Sequence, residues 1–385
     1  MKILVLGGCG SMGSEATRDL SLYSDFDEIV VADIDVKKAE NYCNSLKDKR
    51  LKAISVDVTD KEALVKLFPQ FNVVLNCTTY HFGLIVTEAA IETQIPVLDL
   101  GGLYNTPKQL AMTDKAKSAG VTILLGCGAT PGITNLMAQC GIKQMDKVNE
   151  IHIAFGSFRS IAPSPGLLDT ILDEFSPGTK RFYFNEGQFI EVPPFSGEKK
   201  IKFAPPVNEQ FTYMVPHSET HTLSRFIEGI KVVDVRGTWK PEIMQALQTY
   251  NNLGLLSSEP VTIKGVKISP KEFLRQFYLE QKHEIEGEWA FLLNVEILGI
   301  KGNKECKITY NLSHPDTSEW DKTATARVTG IPASIGAQML AKGKALNKGV
   351  IAPEICFDCY EFFNELAKRK IYIHETVVQE RVVNI

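Results

Sequence analysis

A glycine-rich turn between a short strand and a helix is the feature that most limits what this chain can fold into. Residues Lys2 to Leu6 form an apolar run of strand length, and a segment with helical periodicity extends from Ser14 to Leu22. The six residues from Gly8 to Gly13 match the pattern G-x-G-x-x-G. This arrangement is typical of a dinucleotide-binding βαβ unit, in which the glycines allow a tight turn, close approach to a pyrophosphate and close helix packing.

Asp33 indicates which dinucleotide the turn would bind. It follows a second apolar strand, Ile29 to Ala32, about twenty residues after Gly13. A carboxylate at this spacing accepts hydrogen bonds from the adenosine ribose and repels a 2′-phosphate. We therefore predict NAD as cofactor, with NADP use left open by Lys37 and Lys38 nearby. The predicted cofactor contacts, in the turn and at strand ends, are Gly8, Gly10, Ser11, Met12, Gly13, Asp33, Asp57, Val58, Cys77, Thr78 and Gly128.

Strand and helix patterns alternate through the first 130 residues. This alternation predicts right-handed crossovers and an α/β fold, namely a Rossmann doubly wound parallel sheet with helices on both faces. Ligands bind such sheets beyond the carboxyl ends of the strands, so we look for functional residues there. Further strands are predicted at Ala53 to Val56, Val73 to Asn76, Val97 to Leu100 and Val121 to Leu125.

The pattern changes near residue 145, where alternating apolar and polar residues predict the strands of a mixed sheet. The expected second unit is an inserted α+β substrate domain. Its predicted strands are Val148 to Phe155, Tyr183 to Val192, Gly197 to Phe203, Glu288 to Ile300 and Cys306 to Asn311. After residue 330 the sequence becomes helical, with Pro332 to Lys342 and Pro353 to Lys368 each expected to begin at the proline.

Composition excludes several classes of partner. The chain of 385 residues has a net charge of −4 with both signs dispersed, so no nucleic acid partner is expected. No apolar run reaches the length of a membrane span, and no signal peptide precedes the first strand, which predicts a cytoplasmic protein without membrane contact. The eight cysteines fit a reducing compartment. Cys356 and Cys359 form a C-x-x-C whose apolar neighbours predict one face of a helix, so no metal site is expected.

Several polar residues at predicted strand ends are candidates for chemistry. Asp99 ends the fifth strand beside two glycines, where a carboxylate could hold a substrate ammonium group or relay its proton. The alternative is that Asp99 caps the following turn. Tyr80 follows the fourth strand, and Thr130 and Asn135 lie in a second glycine-rich turn whose N–H groups could bind a substrate or the nicotinamide.

A titratable cluster and three arginines complete the predicted site. The segment Pro216 to His221 contains two histidines and a carboxylate, and we predict acid–base roles for His217 and Glu219. The alternative is a solvated loop. An amino-acid substrate needs a partner for its carboxylate, for which Arg159, Arg225 and Arg236 are the candidates.

Long segments of the chain resemble the saccharopine dehydrogenase-like family. The resemblance is carried by VLGGCGSMGSEATRDL at the N-terminus, VLDLGG, GCGATPGITNLMA and TGIPASIGAQMLAKGKALNKGVIAPE. Within the family, ADIDVKKAE and HTLSR are similar to lysine 6-dehydrogenases, whereas Pro216 to Glu219 is closer to the loop of saccharopine and carboxynorspermidine dehydrogenases.

The resemblance implies nicotinamide-dependent chemistry at a C–N bond of a small amino-acid substrate. It also implies that residues 1–130 and 331–385 form the dinucleotide-binding domain, with 131–330 inserted as the substrate and dimerisation domain. We expect L-lysine 6-dehydrogenase activity, with saccharopine or carboxynorspermidine chemistry, or a non-catalytic NAD-binding sensor, as alternatives. The long strand from Glu288 to Ile300 predicts a homodimer with a sheet continuous between subunits.

Overall fold

The first unit is a parallel sheet with helices on both faces. A computed structural model describes residues 1–102, 105–158, 165–205, 207–281, 289–315 and 323–379. Seven parallel strands follow the order β17-β6-β5-β4-β1-β2-β3, which confirms the predicted doubly wound fold. The strands are β1 Lys2–Leu6, β2 Glu28–Asp33, β3 Leu51–Ser55, β4 Val73–Asn76, β5 Val97–Asp99, β6 Thr122–Leu124 and β17 Gly349–Ile351. The helices are α1 Ser11–Tyr23, α2 Val36–Leu46, α3 Lys61–Leu67, α4 Gly83–Thr93, α5 Thr106–Leu110 and α6 Thr113–Ser118, with 3₁₀ turns at Phe68–Gln70 and Tyr80–Phe82.

The second unit is a nine-stranded mixed sheet, which confirms the predicted α+β insertion. Seven strands follow the order β10-β11-β12-β7-β15-β16-β18, and the hairpin β8-β9 joins through β12. The strands are β7 Lys147–Phe158, β8 Arg181–Asn185, β9 Gln188–Val192, β10 Lys199–Lys202, β11 Glu209–Met214, β12 Val232–Trp239, β15 Ala290–Lys301, β16 Lys304–His314 and β18 His374–Gln379, with a separate hairpin of β13 Val261–Ile263 and β14 Val266–Ile268. The helices around this sheet are α7 Ile133–Ile142, α8 Pro165–Phe175, α9 Ser218–Phe226, α10 Pro241–Asn252 and α11 Pro270–Glu280.

The last part of the chain returns to both sheets. Strand β17 pairs in parallel with β6, whereas β18 pairs antiparallel with β16. The expectation that everything after residue 331 joins the dinucleotide-binding domain is therefore wrong for β18. The alternating sequence of β18 extends the edge that β16 would otherwise leave unpaired.

Two helix predictions near the C-terminus need correction. The helix expected to begin at Pro332 is α12 Ala324–Ala341, with Pro332 in its interior. Most of its side chains are buried, so packing outweighs the local cost of proline. The helix expected from Pro353 is two helices, α13 Pro353–Cys356 and α14 Cys359–Lys368. The break occurs because the Asp358 carboxylate caps α14 through two backbone N–H groups.

One pair of cysteines differs from what a reducing compartment would lead us to expect. Cys359 begins α14 and forms a disulfide with Cys140 of α7. Cys356 ends the preceding helix and is a buried free thiol, so the C-x-x-C pair does not lie on one helix.

Helix α12, which lies late in the chain, packs closely on the first helix, α1. A Cβ atom on Gly330 of α12 would lie 2.6 Å from the Met12 carbonyl oxygen, so only glycine fits at this contact. Ser334 donates a hydrogen bond of 2.7 Å to Asp19 of α1, and Arg369 forms a buried ion pair with the same carboxylate at 2.9 Å. Among the described residues, no helix combines the length and apolar character needed to cross a bilayer.

Strand β15 lies inside the second sheet. It pairs with β7 on one edge and with β16 on the other. The predicted continuation of the sheet across a dimer through this strand is therefore wrong, because β15 has no open edge. Glu288, where the predicted strand began, lies outside the described residues.

Candidate active site

A cleft of about 440 Å³ opens between the two units, at the carboxyl ends of the parallel strands. One wall is formed by the glycine turn and the ends of β2, β4 and β5, and the other by α8, the start of α9 and α12. Residues that line it are Gly7, Gly10, Ser11, Met12, Asp33, Cys77, Thr78, Thr79, Tyr80, Phe82, Leu100, Gly101, Gly102, Thr130, Pro131, Gly166, Leu167, Thr170, Glu174, His217, Ser218, Thr325 and Thr329.

The glycine turn has the geometry of a pyrophosphate cradle. A Cβ atom on Gly13 would lie 2.2 Å from the Gly7 carbonyl oxygen, so α1 can approach the turn this closely only with glycine at that position. Gly10 is the N-terminal cap of α1, and the turn brings the first N–H groups of the helix to the cleft. Such N–H groups and the positive end of the helix dipole favour a phosphate. Gly7, which sequence reasoning missed, also lines the cleft and has a positive φ of 67°.

Asp33 lies at the ribose end of this cradle. Its carboxylate accepts hydrogen bonds from the backbone N–H of Asp35 at 3.1 Å and from the Cys9 thiol at 3.1 Å. Burial raises the pKa of Cys9 to about 12, and the hydrogen bond to Asp33 adds to this, so the thiol stays protonated as a donor. The Asp33 carboxylate, at the end of β2, is therefore suited to accept hydrogen bonds from the ribose hydroxyl groups of a dinucleotide.

Five predicted cofactor contacts do not line the cleft, namely Gly8 and Gly13 inside the glycine turn and Asp57, Val58 and Gly128 elsewhere. Asp57 and Val58 follow β3, where the Asp57 carboxylate accepts hydrogen bonds from the backbone and hydroxyl of Thr59. Gly128 supports the second glycine turn, because a Cβ atom on Gly132 would lie 2.0 Å from the Gly128 carbonyl oxygen. Asp57 and Gly128 therefore support turns, whereas Val58 packs against the apolar core of the first unit.

His217 and Glu219 form a buried acid–base pair at the substrate side of the cleft. The Nδ1 atom of His217 lies 2.6 Å from a Glu219 carboxylate oxygen. The other Glu219 oxygen accepts hydrogen bonds from Thr130 at 2.6 Å and Thr134 at 2.8 Å. The Glu219 side chain is fully buried, whereas His217 lines the cleft and packs on Phe155. Glu219 therefore connects to the cleft only by its contact with His217, whose Nε2 atom makes no hydrogen bond to any described residue.

The charges in this pair support each other. Burial lowers the pKa of His217, but the charge and hydrogen bond of Glu219, with a contribution from the charge of Glu174, raise it above its usual 6.5. Burial raises the pKa of Glu219, but His217 and the two threonine hydroxyls hold it below its usual 4.5. These pKa shifts favour a protonated His217 that faces the cleft and an ionised Glu219 behind it.

Asn135 belongs to a second buried network rather than to the cleft lining. Its side-chain oxygen accepts from the Gly132 N–H at 2.9 Å, and its amide nitrogen donates to Glu354 at 2.8 Å and Thr222 at 3.2 Å. The predicted substrate contact of Asn135 is therefore wrong, since all its polar atoms bind protein groups. Burial raises the pKa of Glu354 to about 7.

Asp99 is a turn-capping residue. One carboxylate oxygen accepts the backbone N–H groups of Gly101 and Gly126, each at 2.8 Å, and the other accepts the Gln109 amide at 3.0 Å. The side chain is buried and does not line the cleft. The catalytic role predicted for Asp99 is therefore wrong, and its carboxylate instead fixes the ends of β5 and β6.

Two of the three predicted arginines lie away from the cleft. Arg225 is exposed near the end of α9. Arg236 lies on the opposite face of the second sheet, where it forms an ion pair with Asp234 and donates to the Gly197 carbonyl at 3.1 Å. Neither is placed to bind a substrate carboxylate in the cleft. Arg159 lies outside the described residues.

Helix α8 supplies cleft residues that sequence reasoning missed. Gly166, Leu167, Thr170 and Glu174 line the cleft from one face of this helix. Their spacing marks one helical face, but only the tertiary structure shows that this face meets the parallel sheet. Tyr80, which was predicted, lies opposite and donates a hydrogen bond of 2.6 Å from its phenol to Asp173 of α8.

The two units correspond to two known domain types. Residues 3–124 match the family model described as saccharopine dehydrogenase NADP binding domain. Residues 128–371 match the model described as saccharopine dehydrogenase C-terminal domain. The chain belongs to the saccharopine dehydrogenase family. As a family member with a dinucleotide cradle, it is an NAD(P)-dependent oxidoreductase.

Individual relatives match along nearly the whole chain. A carboxyaminopropylagmatine dehydrogenase from Synechocystis is 25% identical, with 98% of each chain covered. A carboxynorspermidine synthase from Vibrio cholerae is 24% identical, with 92% of each chain covered. The structure of saccharopine dehydrogenase (L-Glu forming) from Saccharomyces cerevisiae superposes with a TM-score of 0.72 at 19% identity, covering 98% of this chain and 99% of that one, which shows a shared fold.

Proposed function

We propose that this protein is an NAD(P)-dependent dehydrogenase of a carboxylated polyamine, and that it makes or breaks a secondary C–N bond between an amine and an amino-acid carbon chain. The observation that carries the proposal is the His217–Glu219 pair at the substrate side of the cleft. In the reductive direction, a hydride adds to the carbon of an imine and a proton adds to its nitrogen, which leaves a secondary amine.

His217 supplies or removes the proton at the substrate nitrogen. Its Nδ1 atom is held by Glu219, so Nε2 is the atom available to the cleft. Glu219 fixes the ring orientation and stabilises the imidazolium, and Thr130 and Thr134 fix Glu219. The glycine turn holds the cofactor, which supplies the hydride acceptor or donor when bound. Helix α8 forms part of the wall of the cleft that faces the ends of the parallel strands.

The relatives support a polyamine-type substrate over lysine. The names carboxyaminopropylagmatine and carboxynorspermidine both denote polyamine-type molecules that carry a carboxyl group, and both relatives align along at least 92% of each chain. Neither Arg225 nor Arg236 lies where it could bind a substrate carboxylate, which either substrate would carry. The preference for a carboxylated polyamine over L-lysine, our first expectation, therefore rests on these relatives.

Oxidation of NADPH and NADH in the presence of aldehyde and amine tests the proposal. Reductive joining of L-aspartate 4-semialdehyde to an amine leaves an amino-carboxypropyl group on the nitrogen, so agmatine and 1,3-diaminopropane are the amines to add. We expect cofactor oxidation only when both substrates are present, with a product mass equal to amine plus aldehyde minus one oxygen.

Each alternative gives a different result in the same assay. Ammonia release stoichiometric with NADH from L-lysine and NAD would establish lysine 6-dehydrogenase activity instead. Ammonia-free NAD(P)H formation from saccharopine would establish the saccharopine reaction. Cofactor binding without turnover of any of these substrates would support a non-catalytic sensor.

A further inference from the structure

Three side chains from three elements form a continuous hydrogen-bonded chain across the cleft. Tyr80, which begins the 3₁₀ turn after β4, donates from its phenol to one oxygen of Asp173 at 2.6 Å. The other Asp173 oxygen accepts from the ammonium group of Lys271 at 2.7 Å. Tyr80 belongs to the first unit, Asp173 to α8 and Lys271 to α11. This hydrogen-bonded chain therefore connects the cofactor side of the cleft to two helices of the second unit.

The position of Asp173 on α8 makes this connection relevant to the substrate. Thr170 and Glu174, on the cleft face of α8, line the site. Asp169 and Asp173 lie one helical turn apart on a face that turns toward α11, where Asp169 pairs with Arg275 and Asp173 with Lys271. Among the described contacts, Asp173 alone of these two carboxylates also reaches across the cleft.

The hydrogen-bonded chain of Tyr80, Asp173 and Lys271 is partly shielded from water, so its interactions are stronger than those of an exposed ion pair. The side chains of Lys271 and Asp173 are only 17% and 15% exposed. A hydrogen bond from a neutral phenol to a carboxylate is stronger than a neutral pair, and partial burial reduces competition from water. The Tyr80 backbone is itself fixed, because its carbonyl accepts a hydrogen bond from the Asn105 side chain.

We propose that Asp173 and Lys271 are positioning residues that hold α8 closed against Tyr80 and thereby set the affinity for the amine substrate. The inference rests on the proposed function, since it concerns the same cleft. Lys271 holds the Asp173 carboxylate toward Tyr80, and the Tyr80–Asp173 bond keeps the Thr170 and Glu174 face of α8 against the substrate. Asp173 and Lys271 therefore affect the binding of the amine substrate, whereas His217 transfers the proton.

Kinetics of Tyr80→Phe and Asp173→Asn test this inference, with Asp169→Asn as the matched control. Each of the first two variants should raise the KM for the amine about tenfold and change kcat less than threefold, the split expected when a binding interaction is lost. Asp169→Asn loses an α8–α11 ion pair but no contact across the cleft, so its KM should stay within twofold. The double variant Tyr80→Phe/Asp173→Asn should be no worse than Asp173→Asn alone, because the Asp173 change already weakens the contact with Tyr80 as well as the contact with Lys271.

Hydrogen exchange of the α8 amides in the cofactor-bound enzyme provides a readout independent of turnover. We expect faster exchange over residues 165–175 in Tyr80→Phe and Asp173→Asn than in wild type, with Lys271→Arg close to wild type. A fall in kcat at unchanged KM would overturn the inference, as would equal effects of Asp169→Asn and Asp173→Asn or unchanged α8 exchange in Tyr80→Phe. If wild type turns over no proposed substrate, the proposed function fails, and the exchange experiment still decides whether α8 is held.

Discussion

Replacement of Glu219 by glutamine should uncouple His217 from the support that keeps it protonated. In the wild-type protein, burial acts to lower the His217 pKa and the Glu219 charge acts to raise it, with the net result above 6.5. Glu219→Gln keeps the shape and removes the charge, so the burial effect is less opposed and the pKa of His217 falls. Each unit of decrease lowers the protonated fraction about tenfold at a pH above the pKa.

We expect reductive kcat/KM for the amine at pH 8 to fall about 10- to 100-fold in Glu219→Gln, and the basic limb of its pH profile to move to lower pH. Removal of the imidazole itself in His217→Gln should cost about 10²- to 10⁴-fold. Thr134→Val is the matched control, because it removes one hydrogen bond to Glu219 and keeps the charge. It should cost less than about tenfold and leave the pH profile in place.

The free energies of unfolding of wild type and Glu219→Gln should also differ, and the difference should depend on pH. His217 has a raised pKa, so its contribution to stability is present below 6.5 and is lost as the pH rises through the folded-state value. Glu219 has a depressed pKa, so its contribution is present above 4.5 and is lost as the pH falls through its folded-state value. The free energy of unfolding should therefore differ most between wild type and Glu219→Gln near pH 5–6.5. An unshifted pH–rate profile in Glu219→Gln would refute this account of His217.

Four further predictions concern the cofactor site, a buried carboxyl and assembly. Asp33→Ser should raise the ratio of kcat/KM for NADP over NAD, because the carboxylate would no longer repel a 2′-phosphate; an unchanged ratio would contradict this. Gly13→Ala should abolish cofactor binding in a fluorescence titration, since its Cβ would lie 2.2 Å from a carbonyl oxygen, whereas Gly178→Ala, with its nearest atom at 3.8 Å, should bind normally. Glu354→Gln should raise Tm at pH 8 but not at pH 5. The pKa of Glu354 is about 7 in the folded state and 4.5 in the unfolded state, so the buried carboxyl destabilises the folded state only as the pH rises above 4.5. A homodimer stays our expectation, with the exposed edge strand His374–Gln379 as the place where a sheet could continue; sedimentation as a monomer at micromolar concentration would exclude it.

The parts of this protein that local sequence determines were predicted well. The glycine turn, Asp33 and the alternation of strands and helices each depend on residues close together in the chain, and the parallel sheet follows from them. The contact between His217 and Glu219 is local for the same reason, since only one residue separates them and their side chains meet directly. Local pattern was sufficient wherever the interaction partners were also neighbours in sequence.

Predictions that depended on side-chain direction failed. A carboxylate at a strand end can face the ligand or the backbone of the next turn, and Asp99 does the latter. The charge of Arg236 gave no information about which face of the second sheet it occupies. Helix α8 carries no motif, and its place in the cleft depends on contacts such as Tyr80–Asp173, which are 93 residues apart in sequence.

The packing of α12 against α1 has a consequence for synthesis of the protein. All the glycines of the cofactor turn are translated within the first thirteen residues, yet Thr325 and Thr329 of α12 form part of the cleft wall and Gly330 abuts the backbone of α1. A nascent chain that ends before Ala324 thus has the complete fingerprint and an open-sided site. Since domains fold progressively as the chain emerges from the ribosome, cofactor capture should wait until α12 has been translated, and bound dinucleotide then becomes a sign that α12 has docked on α1.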